Sequence, residues 1–95
     1  MKVFWSPEAN QDRLDIQHYI AVENPVAAAR MDKIFIDATA KLKDFPMRGH
    51  TGKVLGTREI FPHQSYRLVY QVENDSVWIL ALVHTARQWP PLNEN

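Results

Sequence analysis

The stretch YRLVYQVENDSVWILALVH, residues 66–84, decides the fold because it holds two strand-like runs joined by a tight turn. The runs are rich in the β-branched and aromatic residues that strands prefer. Between them, Asn74 and Asp75 both belong to the residue types that tolerate positive φ, which suits the two-residue loop of a β-hairpin. The sequence therefore predicts an antiparallel hairpin at the C-terminal end of the chain.

The turn also predicts which side chains of the hairpin share a face. Counting outward from it, Arg67 lies opposite Leu82, and His84 becomes the diagonal neighbour of Arg67. Diagonal neighbours are about 7–8 Å apart along the backbone, within reach of long side chains. Arg87 follows just after the second strand. We therefore expect an arginine and a histidine together on one sheet face, with a second arginine nearby.

Two helices are predicted before the hairpin, each from a capping residue that is followed by proline. Ser6 is the first N-cap, and its helix is expected to run to about Val22. Asn24 is the second N-cap, and apolar residues at spacings of three and four continue that helix to Phe45, which precedes another proline. So short a connection between the helices predicts an antiparallel helical hairpin.

Two further strands complete the predicted architecture. Residues 2–5 form a short β-prone run, residues 57–61 form another, and the glycine-containing residues 47–56 are expected to be an exposed loop. The element order is β-α-α-β-β-β. It predicts an α+β fold, with the N-terminal helical hairpin packed on one face of a small four-stranded antiparallel sheet. Residues 1–95 are expected to form a single domain.

The predicted register leaves one sheet face free of the helices. Continued to the strand at residues 57–61, it points Glu59 toward the core and puts Arg58, Arg67, Trp78 and His84 on the free face. Charged side chains beside an exposed tryptophan indicate a binding surface. A one-residue bulge would move Arg58 and Glu59 to opposite sides, since side chains alternate along a strand.

Composition narrows the possible functions. The chain is 45% apolar and 23% charged, with no net charge, no cysteine, and no apolar run near the roughly 18 residues of a membrane span. Residues 45–90 are mildly cationic, with five basic and three acidic residues, which is too weak an excess for a protein that grips many phosphates. We expect a cytoplasmic protein without membrane association, in which a small anion site remains open.

Neither a metal nor a cofactor is expected. No cysteine is present, and the four histidines show no ligand spacing within one element. The glycines Gly49, Gly52 and Gly56 do not form a phosphate-binding loop, because no strand precedes them and no helix start follows.

Taken in order, these features resemble the RelE/ParE superfamily of type II toxin–antitoxin toxins. The resemblance rests on the element order, the Asn-Pro start and Phe-Pro end of the second helix, and three sequence segments. These segments are GTRE at residues 56–59, YRLVY at residues 66–70 and VHTARQWP at residues 83–90. The first and last of them resemble the ParE-labelled plasmid-stabilisation branch more closely.

The resemblance implies one of two activities on the same scaffold. RelE-like members cleave mRNA on the ribosome, and here Arg67, His84 and Arg87 would be the catalytic residues, with Glu59 as a further candidate base. ParE-like members poison DNA gyrase through a protein surface, which would include Trp89 besides the residues of the free face. The chain lacks one basic residue and the late tyrosine of RelE, so the gyrase activity is the preferred interpretation. The binding surface expected in either case comprises Arg58, Arg67, Trp78, His84, Arg87 and Trp89.

A growth-arresting toxin also needs a partner that holds it inactive. The resemblance implies a small antitoxin that is disordered when free and folds over the toxin, with an amphipathic helix and an added strand. The further partners of the toxin would be DNA gyrase or, alternatively, the ribosome and mRNA. A non-toxic protein-binding module is the remaining alternative.

Overall fold

Two helices precede most of the sheet in the computed structural model, which describes residues 1–92. The elements are β1 (Lys2–Trp5), α1 (Pro7–Ala21), α2 (Pro25–Lys41), β2 (His50–Thr51), β3 (Arg58–His63), β4 (Tyr66–Glu73) and β5 (Ser76–His84). The strands form one sheet in the order β1-β5-β4-β3-β2, in which β1 runs parallel to β5 and the other neighbours are antiparallel. The α+β fold is confirmed, with one short strand, β2, added within the segment expected to be a loop.

Both helices begin where the sequence predicts. The Ser6 side chain accepts a hydrogen bond from the backbone N–H of Ala9 at 3.1 Å, and the Asn24 side chain accepts one from Ala27 at 3.0 Å. These bonds satisfy backbone donors that a helix start otherwise leaves unpaired. The second helix ends earlier than expected, since α2 stops at Lys41 and a turn carries the chain on to Phe45.

The core lies between the helices and one face of the sheet. Phe35 of α2 is fully buried and meets the ring of Tyr66 edge-on, with 5.4 Å between ring centroids. The helices are also joined by an ion pair from Arg13 to Asp32, and this hydrogen-bonded carboxylate raises the pKa of Arg13. The buried core cluster consists of Ala9, Phe35, Leu42, Tyr66, Leu68, Tyr70, Val77, Ile79 and Leu82.

The β4–β5 hairpin has the predicted turn but not the predicted register at its far end. Asn74 adopts a φ of 54°, and Glu73 pairs with Ser76 across the two-residue loop. Farther along, the pairing shifts by one residue at a bulge that contains Leu80. Beyond the bulge, the expectation that Arg67 faces Leu82 is wrong, because Arg67 pairs with Val83 and Tyr66 pairs with His84.

Helix α1 supplies partners for the backbone groups around this bulge. The carbonyl of Leu80 accepts a hydrogen bond from the Ser6 hydroxyl at 3.4 Å, and the N–H of Leu82 donates to Asp12 Oδ2 at 3.0 Å. A bulge leaves ladder groups unpaired, and buried backbone groups need partners. The two side chains of the α1 segment therefore stabilise the shifted register.

Asp12 makes the stability of this contact depend on pH. Burial raises the pKa of Asp12, the hydrogen bond from Leu82 lowers it, and the charges of Asp15, Arg87 and Glu8 make smaller contributions. A carboxyl whose pKa is higher in the folded chain binds its proton more tightly there, so its contribution to stability falls as pH rises through that window. Relative to Asp12→Asn, the wild-type chain should therefore gain unfolding free energy as pH falls from neutrality into the acidic range. Urea unfolding of both chains at several pH values measures this, and parallel pH profiles would contradict it.

A second register shift separates the two ends of the β3–β4 ladder. Glu59 pairs with Val69 and Ile60 with Leu68, but the pairing has moved by one residue where His63 meets Tyr66. Pro62 lies inside the shift and has no N–H to donate to a ladder. The expectation that Glu59 points toward the core is therefore wrong, and Glu59 lies on the face away from the helices.

Tyr70 fixes the segment that follows α2. Its hydroxyl donates to the carbonyl of Pro46 at 2.7 Å and accepts from the N–H of Gly49 at 2.8 Å. A Cβ atom at Gly49 would lie 2.7 Å from this hydroxyl, so the close approach requires glycine. The segment leads directly into β2, which pairs His50 with Glu59.

Candidate functional site

The sheet face turned away from the helices, called the open face below, carries charged side chains as well as apolar ones. Register and side-chain alternation place residues of β1, β3, β4 and β5 on it. These residues are Phe4, Trp78, Gln71, Val69, Ala81, Val83, Arg67, Phe61 and Glu59.

A buried carboxylate lies at the centre of this cluster. Glu59 is 1% exposed, and its Oε2 accepts a hydrogen bond from the backbone N–H of Lys53 at 2.9 Å. Its Oε1 lies 3.2 Å from Arg67 Nε, and the Arg67 side chain is 13% exposed. A buried charge requires a partner, and each of these two residues provides it for the other.

Two rings flank this ion pair. The guanidinium carbon of Arg67 lies 5.5 Å from the centroid of the Phe61 ring, which is a cation–π distance. His50 lies nearly parallel to Phe61 at a centroid distance of 5.8 Å, and its Nε2 is 3.8 Å from Glu59 Oε1. His50, Glu59, Phe61 and Arg67 are called the open-face cluster below.

The predicted neighbourhood of Arg67 and His84 is wrong. Because of the bulge at Leu80, His84 lies on the helix side of the sheet, where its ring meets Tyr66 edge-on at 5.4 Å. Arg87 is exposed and is close enough to Asp12 of α1 for its charge to lower the pKa of that carboxyl. The open face thus brings Arg67 and Glu59 together, and it brings neither His84 nor Arg87 to them.

The hydrogen bonding of His84 restricts its chemistry. Its Nδ1 accepts a hydrogen bond from the backbone N–H of Ala86 at 3.0 Å. In the neutral ring the proton therefore belongs on Nε2, which leaves that nitrogen a donor. With Nδ1 occupied, His84 has no free acceptor nitrogen with which to remove a proton from a hydroxyl.

The remaining predicted binding residues are spread around the fold. Arg58 points to the helix side, where its Nη1 donates to the carbonyl of Gly49 at 2.7 Å. Trp78 lies on the open face and stacks on Phe4 at 4.9 Å, and it is 37% exposed. Trp89 is half-buried, and its indole nitrogen has no hydrogen-bond partner within the part of the chain that the structure describes.

The arrangement limits what the site can hold. Among residues 1–92, no group of three or more histidine or carboxylate side chains is placed to bind a metal ion. No helix in the described chain is both long and apolar enough to cross a membrane. The open-face cluster offers an arginine, a histidine and an aromatic ring, but its arginine is already paired with Glu59.

Two members of the cluster were missed by sequence reasoning. His50 lies in residues 47–56, which the sequence predicts to be an exposed loop, and Phe61 is not among the residues that the sequence places on the free face. No local pattern marks β2, which is two residues long and lies among glycines. The presence of Pro62 in a strand was the only signal, since proline in a ladder favours a bulge and a bulge reverses the faces.

Comparison with known proteins gives the family. The profile of the family described as "ParE toxin of type II toxin-antitoxin system, parDE" matches residues 3–89. A protein of Sinorhizobium fredii named "Putative toxin Y4kP" is 31% identical over 90 residues, which cover 94% of this chain and 93% of that protein.

Solved structures have the same fold. One, described as the chromosomal ParDE TA system from P. aeruginosa, matches with a TM-score of 0.78 at 19% identity, over 88% of this chain and 95% of that chain. A YoeB/ParE toxin from Agrobacterium tumefaciens matches with a TM-score of 0.64 at 18% identity, over 88% and 98% of the two chains. From the family match across nearly the whole chain, together with this fold, we conclude that the chain belongs to the ParE toxin family of type II toxin–antitoxin systems.

Proposed function

We propose that this ParE-family toxin arrests growth by inhibiting DNA gyrase through a protein surface, and that an antitoxin holds it inactive until it is released. The family supports the toxin and its antitoxin partner, because a ParDE-type toxin is one half of a two-protein module. The choice of gyrase over the ribosome rests on the geometry of the residues that RNA cleavage would need.

The observation that carries this choice is the separation of Arg67 from His84. Metal-independent RNA cleavage needs a base for the 2′-hydroxyl, a cation for the phosphate and an acid for the leaving oxygen, all within reach of one phosphodiester. Here Arg67 lies on the open face, whereas His84 lies on the helix side of the sheet against Tyr66 and Arg87 lies near Asp12 of α1. Glu59 is almost fully buried, accepts a hydrogen bond from the N–H of Lys53 and forms an ion pair with Arg67, which leaves it poorly accessible to a substrate hydroxyl.

Inhibition of a protein target requires only shape and complementary chemistry. Trp78 is partly exposed on the open face, and the exposed Arg87 precedes the half-buried Trp89 in the C-terminal segment. Tryptophan and arginine are the residue types most often responsible for binding energy at protein interfaces. We therefore place the gyrase contact on Trp78, Arg87 and Trp89.

Pulse expression tests the proposal. Brief induction of the wild-type chain should raise the DNA-damage response and gyrase-linked DNA breaks, while ribosome-bound transcripts stay intact. His84→Ala should retain this activity, whereas Trp78→Ala combined with Arg87→Ala should lose most of it. In a supercoiling assay with purified gyrase, the wild-type chain and His84→Ala should inhibit strongly, and the Trp78→Ala, Arg87→Ala double variant should inhibit weakly. Transcripts cut at codon boundaries, in cells whose DNA stays intact, would overturn the proposal.

One observation favours a second candidate, a RelE-like ribosome-dependent endoribonuclease. His50 is 58% exposed on the open face and lies within 3.8 Å of Glu59, so it could exchange protons beside Arg67. In that mechanism His50 would replace His84, and Phe61 would offer a ring for a base to stack on. The same pulse experiment separates the two functions, because His50→Ala would abolish transcript cleavage and leave gyrase inhibition unchanged.

A further inference from the structure

Within residues 1–92, no strand pairs with the outer edge of β3 beyond Glu59. The N–H of Gly52 donates to the carbonyl of Thr57 at 2.8 Å, and β2 pairs farther along with Arg58 and Glu59. Bonding groups alternate sides along a strand, so Thr57 and Glu59 direct their N–H and C=O groups to this edge. Phe61 follows them where the β3–β4 register shift begins. Since β2 begins at His50, no described strand lies beside Phe61 there. An unpaired donor and acceptor form a template for another chain.

A groove runs along this same edge between β3 and helix α2. Its volume is about 550 Å³, within the range in which proteins bind an inserted side chain or a small ligand. On one side it is lined by Ile34 and Ala38 of α2, and on the other by Ile60, Phe61 and Pro62 of β3. An apolar cleft beside a free strand edge can accept a side chain from a strand paired there.

The rim of the groove is cationic. Lys41 and Arg48 line it, and both are exposed. Two acids, Asp37 and Glu59, also line the groove. The Asp37 carboxylate accepts a hydrogen bond from Lys33 at 2.8 Å on the helix surface, and Glu59 is buried and paired with Arg67. The unpaired charge at the rim is therefore positive, which favours an acidic occupant.

The apolar surface continues past Arg48 onto the segment after α2. Phe45 and Met47 are 65% and 60% exposed, and together with Pro46 and Arg48 they line a second depression of about 430 Å³. Adjacent exposed apolar side chains of this size indicate a surface that a partner covers. Arg48 borders both depressions, so one segment of chain could follow them from Phe61 to Phe45.

We infer that the β3 edge and its groove form the docking site of the antitoxin. The antitoxin would place an acidic, extended segment beside Phe61, with an apolar side chain in the groove and carboxylates against Lys41 and Arg48. The segment would then cover Phe45 and Met47. This inference rests on the antitoxin partner of the proposed function, and it is independent of whether gyrase or the ribosome is the target.

A charge-reversal experiment tests the rim. The probe is the full-length antitoxin encoded beside the toxin gene, purified and titrated against the toxin at low and moderate salt. Lys41→Glu combined with Arg48→Glu should weaken binding about tenfold or more and should reduce rescue of growth in co-expression. The matched control, Arg30→Glu combined with Lys43→Glu, makes the same charge change on exposed residues outside the groove, and it should bind as the wild type does. Equal affinity of both double variants would overturn the inference.

Hydrogen exchange on the wild-type complex gives a second, independent test that needs no variant. The N–H of Lys2 donates to the carbonyl of Asp75, just before β5, and the N–H of Ser6 donates to that of Ile79 in β5. The N–H groups of Val3 and Trp5 therefore point outward at the opposite edge of the sheet. Antitoxin binding should protect the Phe61 amide and leave Val3 and Trp5 exchanging as before. Protection confined to Val3 and Trp5, or absent from Phe61, would refute docking at β3. A wild-type chain that binds antitoxin but never arrests growth would instead count against the proposed function alone.

Discussion

Replacing Glu59 with alanine is expected to lower the free energy of unfolding by about 3–5 kcal/mol, the usual cost of removing one partner of a buried ion pair. The change leaves the guanidinium of Arg67 without its carboxylate, although the side chain is only 13% exposed. It also leaves the N–H of Lys53 without the acceptor 2.9 Å away. Chemical denaturation with urea measures the loss as a shift in midpoint at an unchanged slope.

Two matched variants identify the cause of this loss. Glu59→Gln keeps an oxygen for the Lys53 N–H and removes the charge, so its cost should fall between those of wild type and Glu59→Ala. Glu59→Leu combined with Arg67→Met removes both charges and should recover most of the stability, because buried pairs are often replaceable by apolar residues of similar volume. If the double variant is as unstable as Glu59→Ala, the damage comes from lost packing and the ion pair is not responsible.

This stability effect bears on how the toxin's mutants are interpreted. Arg67 resembles a catalytic residue of the nuclease branch, so loss of toxicity in Arg67→Ala could be taken as evidence for RNA cleavage. Removal of Arg67 also leaves Glu59 as a buried, unpaired carboxylate, and that alone can unfold a domain of this size. His50→Gln is the better probe of chemistry on the open face, because its side chain is 58% exposed and its loss should cost little stability.

The elements that the sequence predicts well are those set by neighbouring residues. Ser6 and Asn24 cap helices because a short polar side chain reaches the N–H three residues ahead, a contact that needs no tertiary structure. The Asn74 turn is local in the same sense, and the strand pairing next to it is correct. The element order also follows from local patterns, apart from the short β2. The resemblance to the toxin superfamily added the family, which the comparisons confirm.

The faces of the sheet were mispredicted because they depend on distant contacts. The bulge at Leu80 is stabilised by Ser6 and Asp12, which are about 70 residues away in sequence, at separations of 74 and 70. No sequence pattern within β5 indicates that Ser6 and Asp12 will bond to its backbone. A shift of one residue reverses every side chain beyond it, which is why His84 moved away from Arg67. The second shift, at Pro62, brought Glu59 out of the core and onto the open face in the same way.

Replacing Tyr70 with phenylalanine should have the second-largest effect, a loss of about 2–4 kcal/mol, since each buried group left unsatisfied costs about 1–3 kcal/mol. The ring of Tyr70 is fully buried and would stay so, but its hydroxyl serves two backbone groups, the carbonyl of Pro46 and the N–H of Gly49. Phenylalanine can serve neither. Tyr19→Phe is the matched control, because Tyr19 is 80% exposed and its variant should unfold within about 0.5 kcal/mol of wild type.

The same substitution should also weaken the proposed docking site, because the segment that Tyr70 holds forms one wall of the groove. Gly49 and Arg48 line that wall, and Gly49 precedes β2 directly. Without the hydroxyl, the Gly49 amide should exchange with solvent faster than in wild type, while the β4–β5 amides keep their protection. Under conditions in which the Tyr70→Phe variant is still fully folded, its affinity for the antitoxin should be lower than that of wild type. Binding must then order the segment before β2, which is already ordered in the wild-type chain. Unchanged exchange at Gly49 would mean that β2 alone fixes the segment, and the loss of stability would then have to come from elsewhere around Tyr70.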